Sequence, residues 1–352
     1  GTLDIISGGT LTLDSGSNFS QSNNSWTING TLDLYINYSI IATFTWTISS
    51  TGLLSIQNGA TFTIDSGGTL NIDSGGSLSL SSGSTFTQNN SWTINGRIDL
   101  YISCNIANSY TWTVSSTGIL NIQSGGVLTV DGGGTLTIDS SGALDIIFGG
   151  TLTLSGGSAF TQNNSWTING TLNVYNATTI NTAWTIVGGS LVEVFSGGIL
   201  TIDSGRSLTI NNTGTLILDL GSDLITTGTF TIYGGGIFID NRSTSQIIHG
   251  TYYTTVNVNV SAGNNWTVAN DGDLHITDGT TIFVMNGGIF SVEPNGITTI
   301  DAGGGLTIEN GGIVSLSGNL FNIGYLCLAG GAILSGNGTW NQDSGLIDLS
   351  QM

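Results

Sequence analysis

Positive charge is almost absent from this sequence. It contains no Lys, and its Arg residues are Arg97, Arg206 and Arg242. Against 22 acidic residues this leaves a net charge of −19. That balance argues against nucleic acid as a partner, because binding a phosphate backbone takes cationic side chains that displace its counterions. Anionic membrane surfaces are disfavoured for the same reason. Long hydrophobic runs are also missing. No stretch approaches the roughly 20 apolar residues of a spanning helix, so no membrane insertion is expected. Proline occurs once, at Pro294, and cysteine twice, at Cys104 and Cys327. Two thiols so far apart build no disulfide framework, and Cys104, with the parity of Ile102, reads as a small buried hydrophobe, with an intermolecular disulfide as the alternative. Charged residues amount to 7%, against roughly 25% in ordinary globular domains.

What is present is glycine and a pattern. There are 55 Gly, and 38% of residues are hydrophobic, enough to bury a core and to set disorder aside. The apolar residues are mostly β-branched or aromatic and interleaved with Thr and Ser, a composition that suits a pleated surface. The smallest repeat is eight residues, as in Gly68-Thr69-Leu70-Asn71-Ile72-Asp73-Ser74-Gly75, with close copies at 134–141 and 150–157. Its middle residues alternate polar and apolar, the signature of a half-buried strand. The Asp-Ser-Gly-Gly that follows is turn chemistry. Each octad is therefore one strand and one corner.

A longer repeat overlies the octads. Ser-Trp-Thr-Ile-Asn-Gly recurs at 25–30, 91–96 and 165–170. Phe62, Phe86, Trp112, Phe160 and Trp184 share one octad position at spacings near multiples of 24. This predicts three strands per coil of about 24 residues, with the aromatic residues stacked in one interior lane. The 66- and 74-residue spacings of Trp26, Trp92 and Trp166 then read as three coils each, and these tryptophans as core rather than exposed sugar platforms. The expected fold is a single all-β parallel β-solenoid. An antiparallel, amyloid-like meander is the alternative, since Asp-Ser-Gly-Gly also closes hairpins. Residues 1–235 read as the regular solenoid and 236–352 as its diverged continuation. Residues 241–250 and Pro294 read as protruding loops.

On this octad periodicity the chain resembles the parallel β-helix surface proteins of bacteria and archaea, among them adhesins and autotransporter passengers. The resemblance implies an extracellular, cell-surface location and a role in surface structure or adhesion.

Little catalytic chemistry is written into the sequence. Uronate-cleaving β-helix enzymes need basic side chains, and here three Arg are scattered. Glycoside hydrolysis needs two carboxyl groups flanking the scissile bond. Asp271 and Asp273 form such a pair on paper, but Asn270-Asp271-Gly272-Asp273 reads first as a turn. No enzyme activity, catalytic residue, cofactor-binding residue or metal-binding residue is assigned. His249 and His275 are the two histidines, and His275 alternates with apolar neighbours and should point outward. A 24-residue period sets Asp65 against Asn89 and Asp139 against Asn163, so no continuous carboxylate ladder forms. Isolated calcium ions remain the one metal alternative. Thirteen Asn-x-Ser/Thr sequons occur. Asn18, Asn29, Asn37, Asn89, Asn163, Asn176 and Asn265 are candidate N-glycosylation sites, with a plain polar outer ladder the competing reading. Thr61/Thr63, Thr85/Thr87 and Thr135/Thr137 suggest an ice-binding face as a minor alternative, but Thr lines several sides.

The pattern is already running at Gly1-Thr2-Leu3 and still running at Gly345–Ser350. Neither end shows a charged or helical cap, and open strand edges invite further pairing. The expected function is therefore a non-enzymatic, self-assembling subunit of a surface filament, sheath or layer, with itself as partner. An adhesin or glycan-binding stalk is the alternative, with glycans as partner. A fragment trimmed of its caps and anchoring domains is the third reading, under which the bare ends carry no information.

Overall fold

The protein is described from a computed structural model covering residues 4–17, 19, 25–211, 213–219, 221–232, 236–240, 246–254 and 257–351. It is all-β among these residues, every paired strand is parallel, and coils run to roughly 23 residues. The expected parallel β-solenoid is what forms, and the antiparallel meander is overturned by the pairing. The chain divides into two compact units, Gly1–Asn176 and Ala177–Met352.

In the first unit three faces wrap one core. The second face runs without interruption through Thr10–Leu13, Thr31–Leu34, Leu53–Ile56, Ser77–Leu80, Arg97–Leu100, Ile119–Ile122 and Ala143–Ile146. Pairing is in register: Thr85 lies on Thr61 and Phe86 on Phe62, a step of 24 residues. Because side chains alternate across a strand, this register sets like on like. Leu32, Leu54, Leu78, Ile98, Leu120 and Leu144 form one buried column. The outward column beside it reads Asp33, Ser55, Ser79, Asp99, Asn121, Asp145. Carboxylates in that column are separated by neutral side chains, which avoids direct like-charge stacking.

The corners explain the glycine content. A standard corner has four residues and closes with a bond from the fourth N–H to the first carbonyl, as in Gly126 to Gln123 (2.8 Å). At most of these corners the third residue takes positive φ, +81° at Gly125, the geometry of a type II turn; Thr51, Thr117 and Ser141 hold that position without it. The fourth position is cramped for another reason. A Cβ at Gly126 would lie 2.2 Å from the Leu100 carbonyl oxygen of the coil below. Corners also bond along the stack: the Ser109 N–H donates to Gly133 O (3.1 Å) and the Gly133 N–H to Gly157 O (2.9 Å). Thr43, Ser109, Thr213 and Asn295 hold the positive-φ position without being glycine.

The second unit repeats this architecture. Ile199–Ile202 pairs with Ala177–Ile180 and with Asp223–Thr226. The unit also carries two long strands, Gln246–Thr254 and Asn265–Ile276. Three expectations are corrected here. Residues 246–250 are strand rather than protruding loop, while 241–245 lie outside the described residues. Asn270-Asp271-Gly272-Asp273 is not a turn but the middle of the twelve-residue strand. That strand bends from one face to the next, pairing Trp266 with Phe290 and Asp273 with Ile297. Pro294 sits second in an ordinary four-residue corner closed from Gly296 to Glu293 (2.9 Å). Proline suits that position because its fixed φ matches it.

Candidate functional site

The regular ladder fails at the Ser-Trp-Thr-Ile-Asn-Gly motifs, and the failure comes from corner length. Between Gln88 and Trp92 the corner has three residues, and between Ile94 and Arg97 it has two. The coil shortens to 20 residues, so Ser77 lies under Arg97 and Trp92 under Trp112. Strand Thr69–Ile72 ends one sheet and strand Trp92–Ile94 begins another, with no ladder between them. The same happens between Ala143–Ile146 and Trp166–Ile168.

Side chains bridge each gap. The Trp92 indole donates to Leu70 O (2.8 Å) and the Asn90 amide to Gly68 O (2.8 Å). At the second motif Trp166 donates to Leu144 O (2.8 Å) and Asn164 to Gly142 O (2.6 Å). Behind them Gln88 and Gln162 occupy inward positions, 5% and 2% exposed. Each Gln donates its amide N–H to the Asn Oδ1, while its own Oε1 is buried without a hydrogen-bond partner. Leaving a buried acceptor unpaired costs about 1–3 kcal/mol. Each gap opens outward as a cleft, of about 220 Å³ at Trp92 and about 300 Å³ at Trp166.

Of the aromatic residues singled out from sequence, Trp26, Phe62, Phe86, Trp92, Trp112, Trp166 and Trp184 are buried and Phe160 is partly exposed. They do not share one lane. Phe86 lies on Phe62, whereas Trp112 lies on Trp92 and continues through Leu136 to Phe160 in another sheet. The short coil at Trp92 breaks the 24-residue count. The rings still touch across the break. Centroid distances run 4.9 Å from Trp26 to Trp46, 5.7 Å to Phe62, 6.2 Å to Phe86, 6.0 Å to Trp92 and 5.3 Å to Trp112.

The candidate glycosylation residues divide. Asn37 and Asn163 are exposed, and Asn29, Asn89 and Asn265 are partly exposed. Asn176 is buried, its amide donating to Ser158 O and Oγ (both 3.0 Å), so it is corrected from an outer-ladder position. Asn18 lies outside the described residues. The Thr pairs face outward on two sheets, Thr61/Thr63 with Thr85/Thr87 on one and Thr135/Thr137 on the other.

Titratable groups are dispersed. His275 stacks on Tyr253 with ring centroids 4.8 Å apart and places Nε2 3.3 Å from Asp273 Oδ2. The side chain of His249 lies outside the described residues. Asp271 and Asp273 lie two apart in one strand, and no group of three His, Cys, Asp or Glu converges among the described residues. Asp99 is a multiply engaged carboxylate. It accepts from Arg97 (2.7 and 2.9 Å), Asn121 (2.8 Å) and Gln123 (2.8 Å). Burial pushes its carboxyl up, but these hydrogen bonds outweigh it and hold Asp99 below the usual range. Cys104 and Cys327 are free thiols; Cys327 is buried, whereas Cys104 is half-buried rather than buried as expected, and desolvation pushes its thiol up to about 12.

No known protein family matches the sequence, and no curated protein matches it. Among solved structures it is similar to the crystal structure of a TibC-catalysed, hyper-glycosylated TibA fragment. Identity is 18% over 99% of this chain and 98% of that one, with a TM-score of 0.23. At that score the likeness carries no weight, and the fold rests on this chain's own strand register.

Sequence reasoning missed the clefts. The signal was Gln88 and Gln162, polar residues at the inward parity of their strands.

Proposed function

We propose that this chain is a non-enzymatic structural protein of an extracellular surface, whose molecules stack coil on coil into a filament, sheath or layer. The observation that carries this reading is the chemistry of the coil edge. Among the described residues, neighbouring regular coils meet through ladder bonds, corner bonds and matching apolar columns, which any in-register coil can supply. The rung formed by Ile333–Gly336, Thr339–Gln342 and Leu346–Gln351 is hydrogen-bonded to coils on one side. It exposes Ile333 (50%), Leu334 (46%) and Leu346 (62%). The surface location follows from the resemblance of the repeat to bacterial and archaeal surface β-helices. The adhesin or glycan-binding alternative is favoured by one feature, the paired clefts.

Negative-stain electron microscopy and sedimentation of purified protein test the proposal. Polymers that dissociate in the Ile333→Lys/Leu346→Lys variant are the expected result. A wild-type protein that stays monomeric at millimolar concentration overturns it.

A further inference from the structure

We propose that the Trp92 and Trp166 clefts are twin binding sites for a single neutral sugar ring. The proposal does not depend on whether copies of the chain assemble, and three observations carry it. The first is duplication. The same Gln–Asn–Trp arrangement, with the same side-chain bonds across a missing ladder, is built twice in the first unit. The second is an unmet need. Each cleft is lined by a Gln at least nine-tenths buried whose Oε1 has no partner. Its amide N–H is committed to the neighbouring Asn, so the orphan atom is an acceptor, and it calls for a hydroxyl or N–H donor.

The third is lining chemistry. The first cleft offers strand backbone with the side chains of Asn71, Ser91, Thr93 and Asn95, and no ionised group. Such a surface matches a ligand dense in hydroxyls, and nothing in it neutralises a charged one. The volumes fall at or below the roughly 300 Å³ where ligand clefts begin, room for one ring and not for a chain. The second cleft has Asp145 where the first has Asn71. A carboxylate accepts from two adjacent hydroxyls at once, so the second site favours sugars with a vicinal diol.

A monosaccharide of twelve heavy atoms at ordinary ligand efficiency binds with Kd on the order of 1–10 mM. Saturation-transfer NMR and calorimetry with neutral hexoses read this range, with glucuronate as the charged control. Two sites are expected in the wild type, one in Gln88→Met, one in Gln162→Met and none in the double variant. Asn71→Tyr, at the exposed rim of the first cleft and away from the core, should also remove one site while leaving the fold intact. Absence of neutral-sugar binding in wild-type protein overturns the proposal, as does binding that survives the double variant. A crystal soaked in the hexose decides independently: a ring in both clefts supports it, and ordered water alone refutes it.

Discussion

Gly125 and Gly126 stand side by side in one corner, and the structure ranks them against intuition. Gly125 has the unusual backbone, φ +81°, but a Cβ there meets nothing within 4 Å. Gly126 has ordinary φ, yet its Cβ would lie 2.2 Å from Leu100 O and 3.0 Å from Gln123 O. Gly125→Ala therefore pays for left-handed backbone, roughly 1–2 kcal/mol, less about 0.4–1 kcal/mol recovered from the unfolded chain. The net cost is about 1 kcal/mol. At Gly126 the new carbon falls about 1 Å short of the ~3.3 Å at which carbon normally meets oxygen, and the obstacle is backbone. The corner must shift, weakening Gly126 N–H to Gln123 O (2.8 Å), Val127 N–H to Ile102 O (2.9 Å) and Thr151 N–H to Gly126 O (3.0 Å). At about 0.5–1.5 kcal/mol each, Gly126→Ala costs about 2–4 kcal/mol. Urea unfolding followed by tryptophan fluorescence gives the ranking. Hydrogen exchange at the Val127 and Thr151 amides localises the damage, since long repeat arrays need not unfold in one step. Equal costs at the two positions, or a larger one at Gly125, would refute the reasoning.

Three further outcomes follow from the same structure. Ser109→Gly and Thr43→Gly, which relieve positive φ at non-glycine residues, should each raise stability by about 0.5–1 kcal/mol, read as a higher urea midpoint. Asp99 is depressed in the folded state, so its contribution is complete above the ordinary carboxylate pKa near 4 and is lost as pH falls through its lower folded value. Asp99→Ala should cost about 1–2 kcal/mol at pH 7 by stranding the buried Asn121 amide, and acid titration of the variant's unfolding should be flatter than that of wild type. The Cys104 thiol, pushed up to about 12, should resist iodoacetamide at pH 8 in folded protein and react at the ordinary thiol rate in urea. Its effect on stability runs the other way from Asp99, present below the unfolded thiol pKa near 8.5 and lost as pH rises toward 12.

The fold was legible because parity and corner chemistry agree residue by residue. In Thr69-Leu70-Asn71-Ile72 the inward and outward sets are fixed by alternation alone, and the turn that follows announces itself by Asp, Ser and Gly. Coil length was less legible, since it depends on how many residues each corner spends. Asn89-Asn90-Ser91 and Asn95-Gly96 read as ordinary polar corners, and nothing in their composition says that they are short. The 74-residue step from Trp92 to Trp166 looked like three coils. The register makes it ten strands, and the second motif lies on the next face, with its cleft facing a different side. The clefts were half visible, because an inward Gln is anomalous, but the partner atoms that hold them come from residues 22 positions earlier.

The broken ladders have a mechanical consequence. At the Trp92 rung two of the three walls end, Thr69–Ile72 without pairing to Trp92–Ile94 and Thr85–Gln88 without pairing to Ser103–Ile106, while the wall through Ser77–Leu80 and Arg97–Leu100 carries on. Tension along the stack is borne there by a single sheet, a handful of side-chain tethers and the covalent chain. Under load the first unit should tear at that seam before any regular coil opens, which makes the motif a built-in yield point.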